Sequence, residues 1–146
     1  MADIDWTNPS VKVSSHFSVR ECLWLPSWGR MANESDGLND EVKNNLIELC
    51  AKMDIVREFL GVSINIHVTY RPEAYNKQIG GASHSKHFIG SAMDWDASGM
   101  NCDDVRARLE PMLEQLDMRM EKLPQSGWVH LDTGNVPSGG HRYFIP

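Results

Sequence analysis

Ser85-Lys86-His87-Phe88-Ile89-Gly90-Ser91-Ala92-Met93-Asp94 is the stretch on which the reading of this chain turns. Gly90 permits a tight turn between a loop that carries His87 and a strand, Ser91 to Asp96, that carries Asp94. Alternation along that strand sets Ala92 and Asp94 on one face, so a small residue leaves room beside the carboxylate. A buried carboxylate there needs a cationic partner. A second string, Gly127-Trp128-Val129-His130-Leu131-Asp132, adds another imidazole on another expected strand. His87, Asp94 and His130 form a metal set with one ligand too few for a closed tetrahedral site. Structural zinc sites usually have four protein ligands, and catalytic ones three plus water. Two imidazoles and a carboxylate suit zinc, one ion per chain, with manganese or iron as other options.

Outward from this core, the pattern predicts an α+β fold with a mainly antiparallel sheet flanked by helices. Leu46, Cys50, Met53, Val56 and Leu60 recur at helical spacing, so a helix is expected from about residue 39 or 40 to Leu60, stopped by Gly61. Ile64, Ile66 and Val68 alternate with Asn65, His67 and Thr69, a half-buried strand ended by Arg71-Pro72. A long polar loop is expected through Gly80-Gly81 and Ser83 to Ser85. A second helix is expected from Cys102 to Leu116, kinked or broken at Pro111. Met118 and Met120 alternate with charged residues, which suggests a strand at 117–122. Ser18 and Glu21 have the spacing of a capping box, whereas residues 1–38 otherwise read as irregular, the first 14 above all.

At 146 residues the chain is expected to be one domain, 1–146, long enough to bury a core without staples. A net charge of −6 supplies no basic stripe, so nucleic acid is not an expected partner. Cys22, Cys50 and Cys102 form no C-x-x-C pair, and Cys50 falls on the apolar stripe of a helix, where it reads as a small buried hydrophobe. The N-terminus has Asp3 and Asp5 and no apolar signal region, and no run reaches membrane-spanning length. Cytoplasmic synthesis without membrane attachment, and a monomer, are the expectations. His16, His67, His84 and His141 are read as structural or surface residues, although His84 competes with His87 through the H-S-K-H spacing.

The pattern H-x-x-G-x-A-x-D followed by W-x-H resembles the zinc D-Ala-D-Ala carboxypeptidase and endopeptidase family, which shares its fold with the hedgehog signalling domain and lysostaphin-type peptidases. Thr69-Tyr70-Arg71-Pro72-Glu73-Ala74-Tyr75-Asn76, then Gly80-Gly81-Ala82-Ser83, is similar to the family's S-G-Y-R…N…G-G-A-x-S segment. Ser15-His16-Phe17-Ser18-Val19-Arg20-Glu21 resembles an N-terminal segment of phage members, and Val129 to Gly134 resembles the family's C-terminal V-H-[VIL]-D-x-G. The likeness runs from about residue 15 to 135. It implies a hedgehog/DD-peptidase-like fold, zinc held by His87, Asp94 and His130, and Arg71 polarising the substrate. Ser85 and Trp128 would touch the substrate or support the site. The implied substrate is a peptidoglycan stem peptide, cut by a carboxypeptidase or an endopeptidase of phage lysis or of a virion. Such an enzyme would reach the wall after release from the host cell.

One departure matters. Many family members carry a Glu or Asp three residues before the last histidine, as general base, and here that position is Gly127. Asp132 is the nearest substitute, about 7 Å along the strand from His130, and is expected mostly to orient His130, with Asp96 and Glu121 as further candidates. Gly127 also motivates an alternative: a non-catalytic zinc module of the same fold that binds cell-wall peptides or another partner.

Overall fold

The computed structural model describes residues 3–81, 85–136 and 140–146, so the expectations for Ala82, Ser83 and His84 lie outside the described residues. Local chemistry sets the first elements. The Ser18 hydroxyl accepts from the Glu21 N–H and the Glu21 carboxylate accepts from the Ser18 N–H, a reciprocal cap that starts α1 (Val19–Leu23). A short hairpin follows, β1 (Trp24–Leu25) against β2 (Arg30–Met31), inside a region expected to be irregular. Asn39 caps α2 (Asp40–Leu60) by accepting from the Val42 N–H, and Asp40 and Glu41 suit its positive end. Leu46, Cys50, Met53, Val56 and Leu60 are buried as one stripe, joined by Val42 and Leu49. The Cys50 Sγ lies 3.3 Å from the Cys22 Sγ in this core.

β3 (Ile64–Val68) comes next, and then the expected polar loop is partly helical. Pro72 opens α3 (Glu73–Ile79), because its fixed backbone and missing N–H suit a helix start. His87 itself sits on a 3-10 turn, Lys86–Ile89, capped by the Ser85 side chain. β4 (Ala92–Ala97) leads to α4 (Cys102–Leu109). Pro111 then interrupts the expected long helix as foreseen: a 3-10 turn covers Glu110–Met112 and α5 is only Leu113–Leu116. β5 (Arg119–Glu121), β6 (Val129–Asp132) and β7 (Tyr143–Phe144) complete the chain.

Five strands form one sheet in the order β3-β4-β6-β5-β7. All pairings are antiparallel except β5 with β7, which is parallel. The fold is therefore α+β with a mainly antiparallel sheet. A register shift between Ile66 and Val68 bends β3 at its end. Met93, Trp95, Met120, Val129 and Leu131 are fully buried on the sheet's inner face, against which α2 and α4 pack. The period-two alternation then forces Asp94, Arg119, Glu121, His130 and Asp132 onto the opposite face. No described helix is long and apolar enough to cross a membrane.

Gly90 fixes where His87 stands relative to β4. Its φ is +75°, and a Cβ there would lie 2.9 Å from the Val42 carbonyl oxygen and 3.0 Å from Leu46 Cγ on α2. Both the backbone and the space demand glycine. Gly90→Ala is expected to destabilise the fold by on the order of 1–3 kcal/mol, seen as a lower urea midpoint at unchanged slope. A wild-type midpoint would show that the turn does not depend on this contact.

Candidate metal centre and its cleft

Strand register brings the first two groups together. Asp94 on β4 lies directly opposite His130 on β6, and Ala92 directly opposite Asp132. On the next pair Arg119 lies opposite Asp132, and the same register carried on by two residues sets Glu121 opposite His130. The face therefore carries two cross-strand rows: Asp94, His130 and Glu121 in one, Ala92, Asp132 and Arg119 in the other. His87 arrives from the turn after α3. The backbone N–H of Arg71 donates to the His87 carbonyl at 3.0 Å, which ties the turn to the end of β3.

One ligand atom from each of His87, Asp94 and His130 lies within 4.8 Å of the others. His87 Nδ1 is 2.7 Å from the Thr69 carbonyl oxygen, so Nδ1 carries the proton and donates it there. The other ring nitrogen, His87 Nε2, faces Asp94 Oδ2 at 3.2 Å. His130 presents Nδ1 to Asp94 Oδ1 at 2.8 Å and Nε2 to Asp132 Oδ2 at 2.9 Å. The donor set, with each outer ring nitrogen fixed by an oxygen, fits a metal held by His87 Nε2, Asp94 and His130 Nδ1.

Electrostatics follow the same contacts. Burial works against the charge of Asp94, but hydrogen bonds from His130 and His87 outweigh it and hold the carboxyl well below the usual range. Burial likewise opposes charge on His130, but its bonds to Asp132 and Asp94 win and raise it to about 9. Burial pushes Glu121 up from the usual carboxylate value; nearby His130 opposes this, and Asp94 and Asp132 reinforce it. Burial lowers the Arg71 guanidinium from its ordinary value.

The remaining expected residues take definite places. Asp132 is buried and accepts four hydrogen bonds: two from Arg119 at 2.7 and 3.0 Å, one from the Gly134 N–H at 2.9 Å, and one from His130. Both its oxygens are thus engaged, one of them by His130 Nε2, the residue it was expected mostly to orient. Glu121 is on β5, within the expected 117–122 strand, with Oε1 3.7 Å from His130 Nε2. Asp96 points elsewhere, bound to Asn65 at 2.9 Å and His67 at 2.6 Å. Ser85 Oγ accepts from Arg71 at 3.1 Å and from the His87 N–H at 3.1 Å, so it braces both. Trp128 is an exposed wall residue, its carbonyl held by the buried Arg106 at 2.8 Å.

A cleft of about 450 Å³ joins these groups, with Arg71, Lys86, Glu121, Trp128 and Phe144 around the three ligands. Sequence reasoning missed Thr69, Arg119 and Lys86. The alternation of Met118 and Met120 with charged residues did hold the signal for Arg119, since it sets Arg119 and Glu121 on the polar face.

A family model described as Peptidase M15 matches residues 27–132, a span that holds Arg71, His87, Asp94, Glu121, His130 and Asp132. Comparison with curated proteins and with solved structures gave no significant match.

The raised His130 sets the pH dependence of the metal-free chain. A histidine whose folded value is about 9 contributes stability in full below its unfolded value of roughly 6.5, and loses it as pH rises through the folded value. A metal must displace that proton. Apparent metal affinity should rise with pH up to about 9, with proton release measurable by calorimetry in buffers of different ionisation enthalpy. Asp132→Asn should weaken metal binding by roughly 10–100-fold. Unchanged affinity would remove Asp132 from the metal's support.

Proposed function

The chain belongs to the peptidase M15 family, and from that premise we propose that it is a zinc peptidase of peptidoglycan stem peptides. The observation that carries this reading is the cross-strand pair Asp94–His130 with His87 Nε2 facing the same carboxylate, beside Arg71 in one cleft. Two imidazoles and one carboxylate leave a position open for water or substrate, the arrangement of catalytic rather than structural zinc. Zinc bound there would lower the pKa of a water and polarise a peptide carbonyl.

The chain's own residues supply the rest. Arg71, at the end of β3, has a buried Nε with no hydrogen-bond partner among the described residues, and Ser85 aims its other end. The guanidinium lines the cleft, where it suits the scissile carbonyl oxygen and the oxyanion that develops on it. Glu121 takes the proton and returns it to the leaving amine. It is the one cleft carboxylate neither among the three ligands nor tied up by Arg119, and burial raises it towards the range where a carboxyl can both accept and release a proton. Trp128 offers an apolar wall to the peptide. The Ser15–Glu21 segment, similar to phage members, supports a lysis or virion-borne setting in which the wall is reached from the cell or particle that made the enzyme.

A second reading keeps the metal and drops the reaction. Gly127 favours it: the usual base position is exposed and has no side chain. Digestion of purified peptidoglycan by the zinc-loaded chain, with products weighed by mass spectrometry, separates the two. Release of a stem peptide or of D-alanine is expected, and the bond cut is read from the masses. Arg71→Ala should lower kcat/KM by roughly 10²–10³, and Glu121→Gln should abolish most turnover, both with metal content unchanged. No release from the fully loaded wild type would leave the binding module.

A further inference from the structure

Three cations line the cleft beside the ligands: Arg71, Lys86 and Arg119. Arg119 is committed to Asp132 through two hydrogen bonds. The other two are not paired with any carboxylate among the described residues, and the remaining positions (Met1, Ala2, Ala82, Ser83, His84, Pro137, Ser138 and Gly139) hold no Asp or Glu. Lys86 directly precedes the ligand His87 and starts its 3-10 turn, so its amine enters the cleft from the ligand's own turn. The stem is placed as well. A Cβ on Gly134 would lie 2.9 Å from Lys86 Cε, 3.0 Å from Arg119 Nε and 3.0 Å from Asp132 Oδ1. Gly134 thus leaves the gap through which the lysine runs alongside the Arg119–Asp132 pair.

An ammonium and a guanidinium that line one cleft, neither in an ion pair among the described residues, lack the close counter-charge that such groups normally find. A divalent ion on the single carboxylate ligand would make the wall around His87 more positive still, with Glu121 opposing it. An anion brought by the substrate completes the set. We propose that Lys86, beside Arg71, binds a carboxylate of the peptide substrate next to the scissile bond, so that the site selects anionic peptides. This rests on the peptidase reading. The carboxylate could be a terminal α-carboxylate or an acidic side chain, and the charge-assisted hydrogen bond is the same for both.

The test uses the full metal-loaded chain and three synthetic stem-peptide fragments: a free acid, its C-terminal amide, and a variant with the acidic side chain amidated. The wild type should favour one carboxylate-bearing member over its neutral counterpart by about tenfold or more in KM; which pair differs identifies the carboxylate. Lys86→Met should erase the preference in KM with metal content retained, and Lys86→Arg should restore most of it. Equal KM for all three fragments, or a preference untouched by Lys86→Met, overturns the proposal. Binding of N-acetyl-D-alanine against its amide, and of an N-acetylated acidic dipeptide against its side-chain amide, followed by NMR in both proteins, gives a readout without turnover. If no fragment is cut, the peptidase reading fails. The subsite then stands on Lys86-dependent binding of an acid over its amide, and falls if acid and amide bind alike.

Discussion

The pairing of Asp94 with His130 across β4 and β6 is the constraint on which the rest of the site depends. Directly opposed residues of an antiparallel pair have Cβ atoms about 5 Å apart, the right spacing for two side chains to meet on one ion. Nothing flexible intervenes: both residues stand on strands whose other face is the core. Burying Met93, Trp95, Val129 and Leu131 sets the register, and the register sets the ligands. The third ligand is less rigidly given. It relies on Gly90 docking against α2 and on the Arg71-to-His87 backbone bond.

Around the ligands, oxygen atoms decide which nitrogen does what. The Thr69 carbonyl takes one proton of His87, and Asp132 takes one of His130. Asp132 is in turn anchored by Arg119 from the neighbouring strand. This chain of contacts runs across three strands, so the sheet and the metal chemistry share one set of bonds. It also leaves neither oxygen of Asp132 without a hydrogen bond, close as the residue is to the cluster.

Much of this was legible in the sequence, for physical reasons that differ by element. The apolar stripe of α2, the Ser18–Glu21 cap and the break at Pro111 are local effects, and local effects are written in short windows. The cluster of His87, Asp94 and His130 was readable because a strand's alternation and one glycine turn limit where His87 and Asp94 can go. The 3-10 turn at Lys86–Ile89 and helix α3 were hidden behind Gly80, Gly81 and the serines, whose composition reads as loop whatever the tertiary packing does with it. The parallel strand β7 pairs with β5 from more than twenty residues away, and no local pattern announces such a partner. For Asp132, spacing along a strand gives its distance to His130 but not the Arg119 guanidinium that claims both its oxygens.

Strand β6 is four residues long, and all four are buried. Val129 and Leu131 serve the core, while His130 and Asp132 serve the metal and its support. A slip of this strand by one position would turn both charged groups into the apolar interior and both aliphatic ones into the cleft. An ion that binds only the chain in register stabilises that pairing alone. A metal held by this cluster would therefore also proofread strand alignment, rewarding the chain for having folded in register.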